Sequence, residues 1–185
     1  MQQSRATIRY AKALLSLSNE QDNLIDSYND MLLLDDICSK SKELSLLLKS
    51  PIVKTDHKLK IFDQIFTDKL SRISMDFLNI IIRKRRESIV PEIAKSFIRL
   101  YKTKNNISTA TITTATPISE ELRDQIIHYI KSHTKNTVEL KEMIDENIIG
   151  GVVVRMGDKQ LDASISTEIS ELRQTFNKNL YMQDL

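Results

Sequence analysis

Histidines, a cysteine, a glycine pair, paired acids and a run of cations are the residues of this 185-residue chain whose types could do chemistry. The histidines are His57, His128 and His133. His128 and His133 stand five apart, on different sides of a helix, whereas a helical metal pair needs i, i+4 spacing. All three read as solvated helix residues. Gly150-Gly151 lacks both the Gly-x4-Gly-Lys-Ser/Thr spacing and a following Lys and hydroxyl residue. Strand-like residues come after it, so no helix N-terminus stands ready for phosphate. The single cysteine, Cys38, has no disulfide partner, and its neighbours Asp35, Asp36 and Ile37 offer no cation to stabilise a thiolate. It reads as a helix residue in a reducing cytoplasm. Asp145 and Glu146 read as loop acids before a strand, because adjacent carboxylates make no acid/base pair without a substrate pocket. The expectation is a protein with no catalytic residue, no cofactor and no metal.

Arg83-Lys84-Arg85-Arg86 is the sharpest charge feature. Four consecutive cations could contact phosphates, which makes a helical RNA- or DNA-binding domain the competing reading. At about 100° per residue, however, the four scatter around a helix. They also fall at its end, where cations complement the macrodipole.

The elements that must position these residues follow from composition and period. Apolar residues at 41% and charged residues at 28% exclude a disordered, collagenous or disulfide-scaffold chain. With only 3 Gly, 3 Pro and no Trp, long helices are favoured over tight β-turns. The apolar runs fall far short of the ~20 residues needed to cross a bilayer. Met1 to Ala6 leads straight into an amphipathic pattern, so a secretory signal is not expected. Net charge is +2 overall, but residues 1–105 hold 19 Lys/Arg against 13 Asp/Glu and residues 106–185 hold 8 against 12. The pattern changes at the same place, where Lys102 to Asn106 gives way to the β-branched run from Ile107, and a domain boundary is expected near 105.

The fold class expected is mainly α: an N-terminal six-helix bundle over 1–105, then a small α+β domain over 106–185. The helices are carried by Ile8, Ala11, Leu14 and Leu15; by Leu24 to Cys38; by Leu44 to Leu48, ended at Ser50-Pro51; by Leu59, Phe62, Ile65 and Phe66 after a Thr55 or Asp56 cap; by Ser71 to Arg85; and by Ile93 to Tyr101 after Pro91. Beyond the boundary come a strand at 107–115, a helix with Leu122, Ile126, Tyr129 and Ile130, and a strand around Thr137 to Met143. A strand Ile148 to Met156, a Gly157-Asp158 turn, a return strand Lys159 to Asp162 and a last helix with Ile165, Ile169, Leu172, Phe176 and Leu180 complete the pattern.

Two helices are wider on their apolar side than one core contact requires. On the first, Tyr10, Ala13, Leu14, Leu17, Ile8, Ala11 and Leu15 spread over about 220°, where a stripe a little over 100° suffices for a bundle helix. On the fifth, Ile73, Met75, Phe77, Leu78, Ile80, Ile81 and Ile82 cover a comparable arc. Either both helices are central to the bundle or they share a groove for another helix.

Arg9-Tyr10-Ala11-Lys12-Ala13-Leu14-Leu15, the Ser50-Pro51 break, Phe77-Leu78 with Arg83, and above all Val138-Glu139-Leu140 and Ile144 to Ser164 with its Gly150-Gly151 strand, Gly157-Asp158 turn and Asp162-Ala163-Ser164 exit resemble the delta subunit of F-type ATP synthase, a relative of the mitochondrial oligomycin-sensitivity-conferring protein. The resemblance spans nearly the whole chain. It departs where family members often carry Gly at Ala163 and Pro at Glu146. It implies a non-catalytic stator subunit whose N-terminal domain holds the N-terminal helix of an alpha subunit between its first and fifth helices. The groove residues would be Tyr10, Ala13, Leu14, Leu17, Leu78, Ile81 and Ile82. It implies a C-terminal domain that meets the peripheral-stalk b subunits, with Ile165, Ile169, Leu172 and Phe176 as contacts. Gly150, Gly151 and Gly157 would be architectural. The place implied is the cytoplasmic face of a bacterial inner membrane, reached only through the complex, with no nucleic-acid partner.

Overall fold

In the computed structural model, residues 4–67, 69–134, 136–145 and 147–179 are described. They fall into two units, Met1–Asn105 and Asn106–Leu185. Helical periodicity in the first produces α1 (Arg5–Glu20), α2 (Leu24–Lys40), α3 (Lys42–Lys49), α4 (Thr55–Phe66), α5 (Arg72–Arg83) and α6 (Val90–Lys104), with a 3-10 turn at Glu87–Ile89 before α6. The Ser4 hydroxyl caps α1 by accepting from the Ala6 N–H, and the Ser41 hydroxyl caps α3 by accepting from the Leu44 N–H. The cap of α4 is Lys54, which corrects the expected Thr55 or Asp56. Asp56 instead lies in the first turn, where its charge favours the helix dipole. The fifth helix is shorter than expected, because Lys84 ends it and Arg85 turns into the left-handed region at φ 55°.

Buried residues on α1 are Thr7, Ala11, Leu14 and Ser18, one stripe at helical spacing. Their apolar members join Met31, Leu34, Leu48, Phe62, Phe66, Phe77, Leu78, Ile81, Ile82, Ile93 and Phe97 in one core. Lys58 and Asp30 inside it are partnered, whereas Asn79 Oδ1 and the second carboxylate oxygen of Glu87 are buried without a hydrogen-bond partner. Lys58, 1% exposed, donates to the Ser50 carbonyl at 2.7 Å and to the Glu87 carboxylate at 2.5 Å, tying α4 to the loop after α3 and to the 3-10 turn. Asp30 of α2 accepts from both the backbone N–H of Ser71, at 3.0 Å, and its hydroxyl, at 2.5 Å. Ser71 is the N-cap residue of α5, so α2 sets where α5 begins.

The second unit contains β1 (Ile107–Thr114), α7 (Glu120–His133), β2 (Thr137–Ile144), β3 (Gly151–Met156), β4 (Lys159–Ser164) and α8 (Ile165–Asn179). Strand order is β2-β1-β3-β4. The β1–β2 pair is parallel, with α7 as its crossover, and both other pairs are antiparallel. Ala110, Ile112 and Val154 of the sheet pack with Ile126 and Ile130 of α7. The third strand starts at Gly151 and not at Ile148, since Gly151 sits at φ 83° and leaves Ile148 and Ile149 in a loop. The return strand continues beyond Asp162 to Ser164. Leu180, expected on the last helix, and Glu146 lie outside the described residues.

A Cβ added at Gly151 would lie 2.2 Å from the Ala163 carbonyl oxygen, whereas one at Gly157, φ 59°, meets nothing within 4 Å. Gly151→Ala is therefore expected to destabilise the second unit by at least about 2 kcal/mol and Gly157→Ala by about 1 kcal/mol, the left-handed cost alone. Chemical denaturation followed by circular dichroism checks the order.

Candidate partner-binding surfaces

The wide apolar arcs of α1 and α5 divide into two parts. One faces the core. Leu14, Leu78, Ile81 and Ile82 are 0–1% exposed and belong to it, which removes four of the seven expected groove residues from any surface. The other part faces outward. Tyr10 is half-buried, Ala13 is exposed and Leu17 is 40% exposed on α1, while Ile80 is 54% exposed on α5.

Between them lies a groove of about 380 Å³ lined by Leu17, Gln21, Arg72, Ile73, Asp76, Phe77 and Ile80. Its wall continues to Tyr10, whose ring meets the Phe77 ring edge-on at 6.5 Å between centroids. The guanidinium of Arg86 lies 5.8 Å over the Tyr10 ring. Ile73, Phe77 and Ile80 are the groove residues that sequence reasoning missed. Their i, i+4, i+7 spacing was a usable signal, since it draws one line along α5 about a third of a turn from Leu78, Ile81 and Ile82.

Ile165, Ile169, Leu172 and Phe176 of α8 are 41%, 41%, 58% and 69% exposed, and they recur every three or four residues along one side. The amide of Ile165 donates to the Gly150 carbonyl, which fixes the start of the helix against the loop before β3. A Cβ at Gly150 would lie 2.7 Å from the Ile165 Cδ1.

The remaining candidates lie apart. His57 and His128 are exposed on α4 and α7. Among the described residues no group of three or more His, Cys, Asp or Glu could hold a metal ion, and no helix is long and apolar enough to cross a membrane. Arg83 ends α5, Lys84 caps it, Arg85 lines a cavity with Ser50 to Asp56, and Arg86 covers Tyr10. They share no single face. The Cys38 thiol on α2 is pushed up to about 11, first by burial and then by the Asp35 charge, against a smaller opposing effect of Lys95.

Two measurements follow. Leu78→Ala is expected to cost about 2–5 kcal/mol and Ile80→Ala less than about 1 kcal/mol in urea unfolding, because only the first empties a core position. Cys38 is expected to resist alkylation in the native protein at neutral pH. A raised native value means the unfolded thiol ionises first, so the Cys38 contribution is complete below the ordinary 9.0 and is lost as pH rises towards about 11. Stability curves of the native protein and Cys38→Ala over that range check it.

The sequence carries the same signal over its length. The family model for the ATP synthase delta (OSCP) subunit matches residues 6–176. The ATP synthase subunit delta of Christiangramia forsetii is 34% identical over 185 residues, covering 100% of each chain. That of Cytophaga hutchinsonii is 33% identical over 181 residues, covering 97% of this chain and 98% of the relative. A chain in the cryo-EM structure of the Toxoplasma gondii mitochondrial ATP synthase hexamer shares the fold, with a TM-score of 0.71, 21% identity, and coverage of 94% of this chain and 98% of that one. With matches that leave almost none of its length unaccounted for, this chain belongs to the ATP synthase delta (OSCP) subunit family.

Proposed function

We propose that this protein is a non-catalytic stator subunit of a proton-driven F-type ATP synthase. It links the top of the catalytic head, through an alpha-subunit N-terminal helix, to the peripheral-stalk b subunits. The observation that carries this reading is the apolar groove between α1 and α5, because a helix lying in it would cover Leu17, Ile73 and Ile80, which α1 and α5 leave exposed or half-buried. The apolar side of α8 supplies the second contact, to the b subunits. Its relatives in bacteria support a place at the cytoplasmic face of the inner membrane, held there through the complex.

The task is mechanical. Rotation of a central stalk applies torque to the head, and a stator must hold the head still for proton flow to drive ATP formation. Affinity comes from burying apolar surface at about 25 cal/mol per Å², concentrated in a few central side chains. Joining two contacts in one chain raises the effective concentration of the second, so each can be modest while the whole link is tight.

Calorimetric titration of the full chain with a synthetic peptide of the cognate alpha subunit's N-terminus tests the reading. One-to-one binding of micromolar strength or better, about −8 kcal/mol, is expected. Leu17→Asp and Ile80→Asp should abolish it with helicity intact, and Leu172→Asp should leave it unchanged while weakening binding of the b subunits. No binding by the well-folded protein overturns the proposal.

A further inference from the structure

A second concavity lies on the first unit and shares no lining residue with the α1–α5 groove. The loop from Ser50 to Lys54, the start of α4 and the turn after α5 border about 760 Å³. Lys49, Lys54 and Arg85 line it, and all three are exposed. Elsewhere cations find acids, as Lys40 does with Asp36, Lys95 with Asp35 and Arg123 with Glu142. Among the described residues these three find none. Two carboxylates share the lining, but Glu87 is answered by Lys58 from behind the wall, which leaves Asp56 alone opposite three positive charges.

The chain sets these charges around one space for local reasons. Ser50-Pro51 breaks the helical path, so Lys49 falls on the last residue of α3 and Lys54 on the cap of α4. Arg85 reaches the cavity through its left-handed backbone just past α5. Lys58, 1% exposed, bonds both Ser50 and Glu87, so the wall is held in place and little ordering is left for a ligand to impose. No side chain caps α4, and the amides of Thr55 and Asp56 have no acceptor among the described residues, which adds donors to a space that is already positive. No aromatic side chain lines it.

We infer that this cavity binds a phosphate-bearing anion, held by Lys49, Lys54 and Arg85. Guanidinium presents a fork of donors that matches phosphoryl oxygens, and ammonium groups act as point charges beside it. Two linked phosphoryl groups answer three separated cations better than one does. With nothing for a nucleobase to stack on, the phosphoryl groups alone are read.

Calorimetric titration of the full chain at about 50 mM NaCl, where charge interactions are lightly screened, tests the assignment. Pyrophosphate should bind one-to-one with a Kd of about 1 mM or tighter, and a tetraglutamate peptide about tenfold more weakly. ATP should bind no more tightly than inorganic tripolyphosphate. Lys49→Gln with Lys54→Gln should weaken pyrophosphate about tenfold, and so should Arg85→Asn, since Asn accepts the left-handed backbone that Arg85 occupies. Lys12→Gln with Lys159→Gln, an equal charge change outside the cavity, should leave binding unchanged. Circular dichroism and the thermal midpoint show which variants are folded, and the lysine pair stands as a test if Arg85→Asn is not. No saturable binding, equal binding by the wild type and the lysine variant, or an equal loss in the Lys12 and Lys159 control overturns the site. Tetraglutamate binding as tightly as pyrophosphate, or ATP binding about tenfold more tightly than tripolyphosphate, overturns the phosphoryl chemistry. Each of these results leaves the α1–α5 groove reading standing, because the two surfaces share no residue.

Discussion

Leu14, Leu78, Ile81 and Ile82 fix α1 and α5 against the rest of the bundle, and everything on the outer surface of those helices depends on that inward anchorage. A helix that buries one stripe and exposes a second, about a third of a turn away, must be held in rotation as well as in place. A roll of a few tens of degrees would bury Leu17 or Ile80 and expose core residues instead. Close packing supplies the resistance. Ile81 and Ile82 are completely buried, and interiors at this density give little room for rotation. The groove is thus a consequence of the core, formed before any partner arrives.

The polar interior reinforces the same geometry. Asp30 receives both the backbone N–H and the hydroxyl of Ser71, which pins the start of α5, and Lys58 bridges the Ser50 carbonyl and Glu87, which holds the segment between α5 and α6. A buried pair of this kind adds little over an apolar replacement, yet removing one partner strands a charge at about 3–5 kcal/mol. Such bonds are strongly position-specific, whereas apolar contact tolerates sliding. They fix the axial position of α5, and with it the stations of Ile73, Phe77 and Ile80 along the groove wall.

Much of this was legible in the residues, and the failures have physical causes. The six helices of the first unit and the β-branched strand at Ile107 follow from period alone, because each element buries a single contiguous face. Periodicity also showed that α1 and α5 were too apolar for one contact. It could not say which half of the arc turned inward. Leu14 and Leu17 are the same residue type three apart, and only the position of neighbouring helices decides that the first is buried and the second exposed. The start of β3 was misplaced for a related reason, since Ile148 and Ile149 look like strand residues until the left-handed backbone at Gly151 is seen. The Thr55 cap failed because Lys54 already has the extended backbone of a cap residue, φ −62° and ψ 145°, leaving Asp56 to act through the dipole.

Exposed apolar side chains in numbers such as these carry a cost in solubility, and a chain keeps them where something else will cover them. Among them two sets stand together, one at the α1–α5 groove of the first unit and one along α8 of the second, while others such as Ile25, Ile52 and Ile149 are exposed elsewhere. In the proposed stator role, two surfaces on one chain serve better than one. In the proposed role, a subunit released at one contact stays tethered at the other and rebinds at a raised effective concentration. A single tight interface would need all of its affinity in one place and would fail at once when that place opened. The division of the chain into two folded units, each carrying its own uncovered apolar side, therefore suits a protein whose work is to hold.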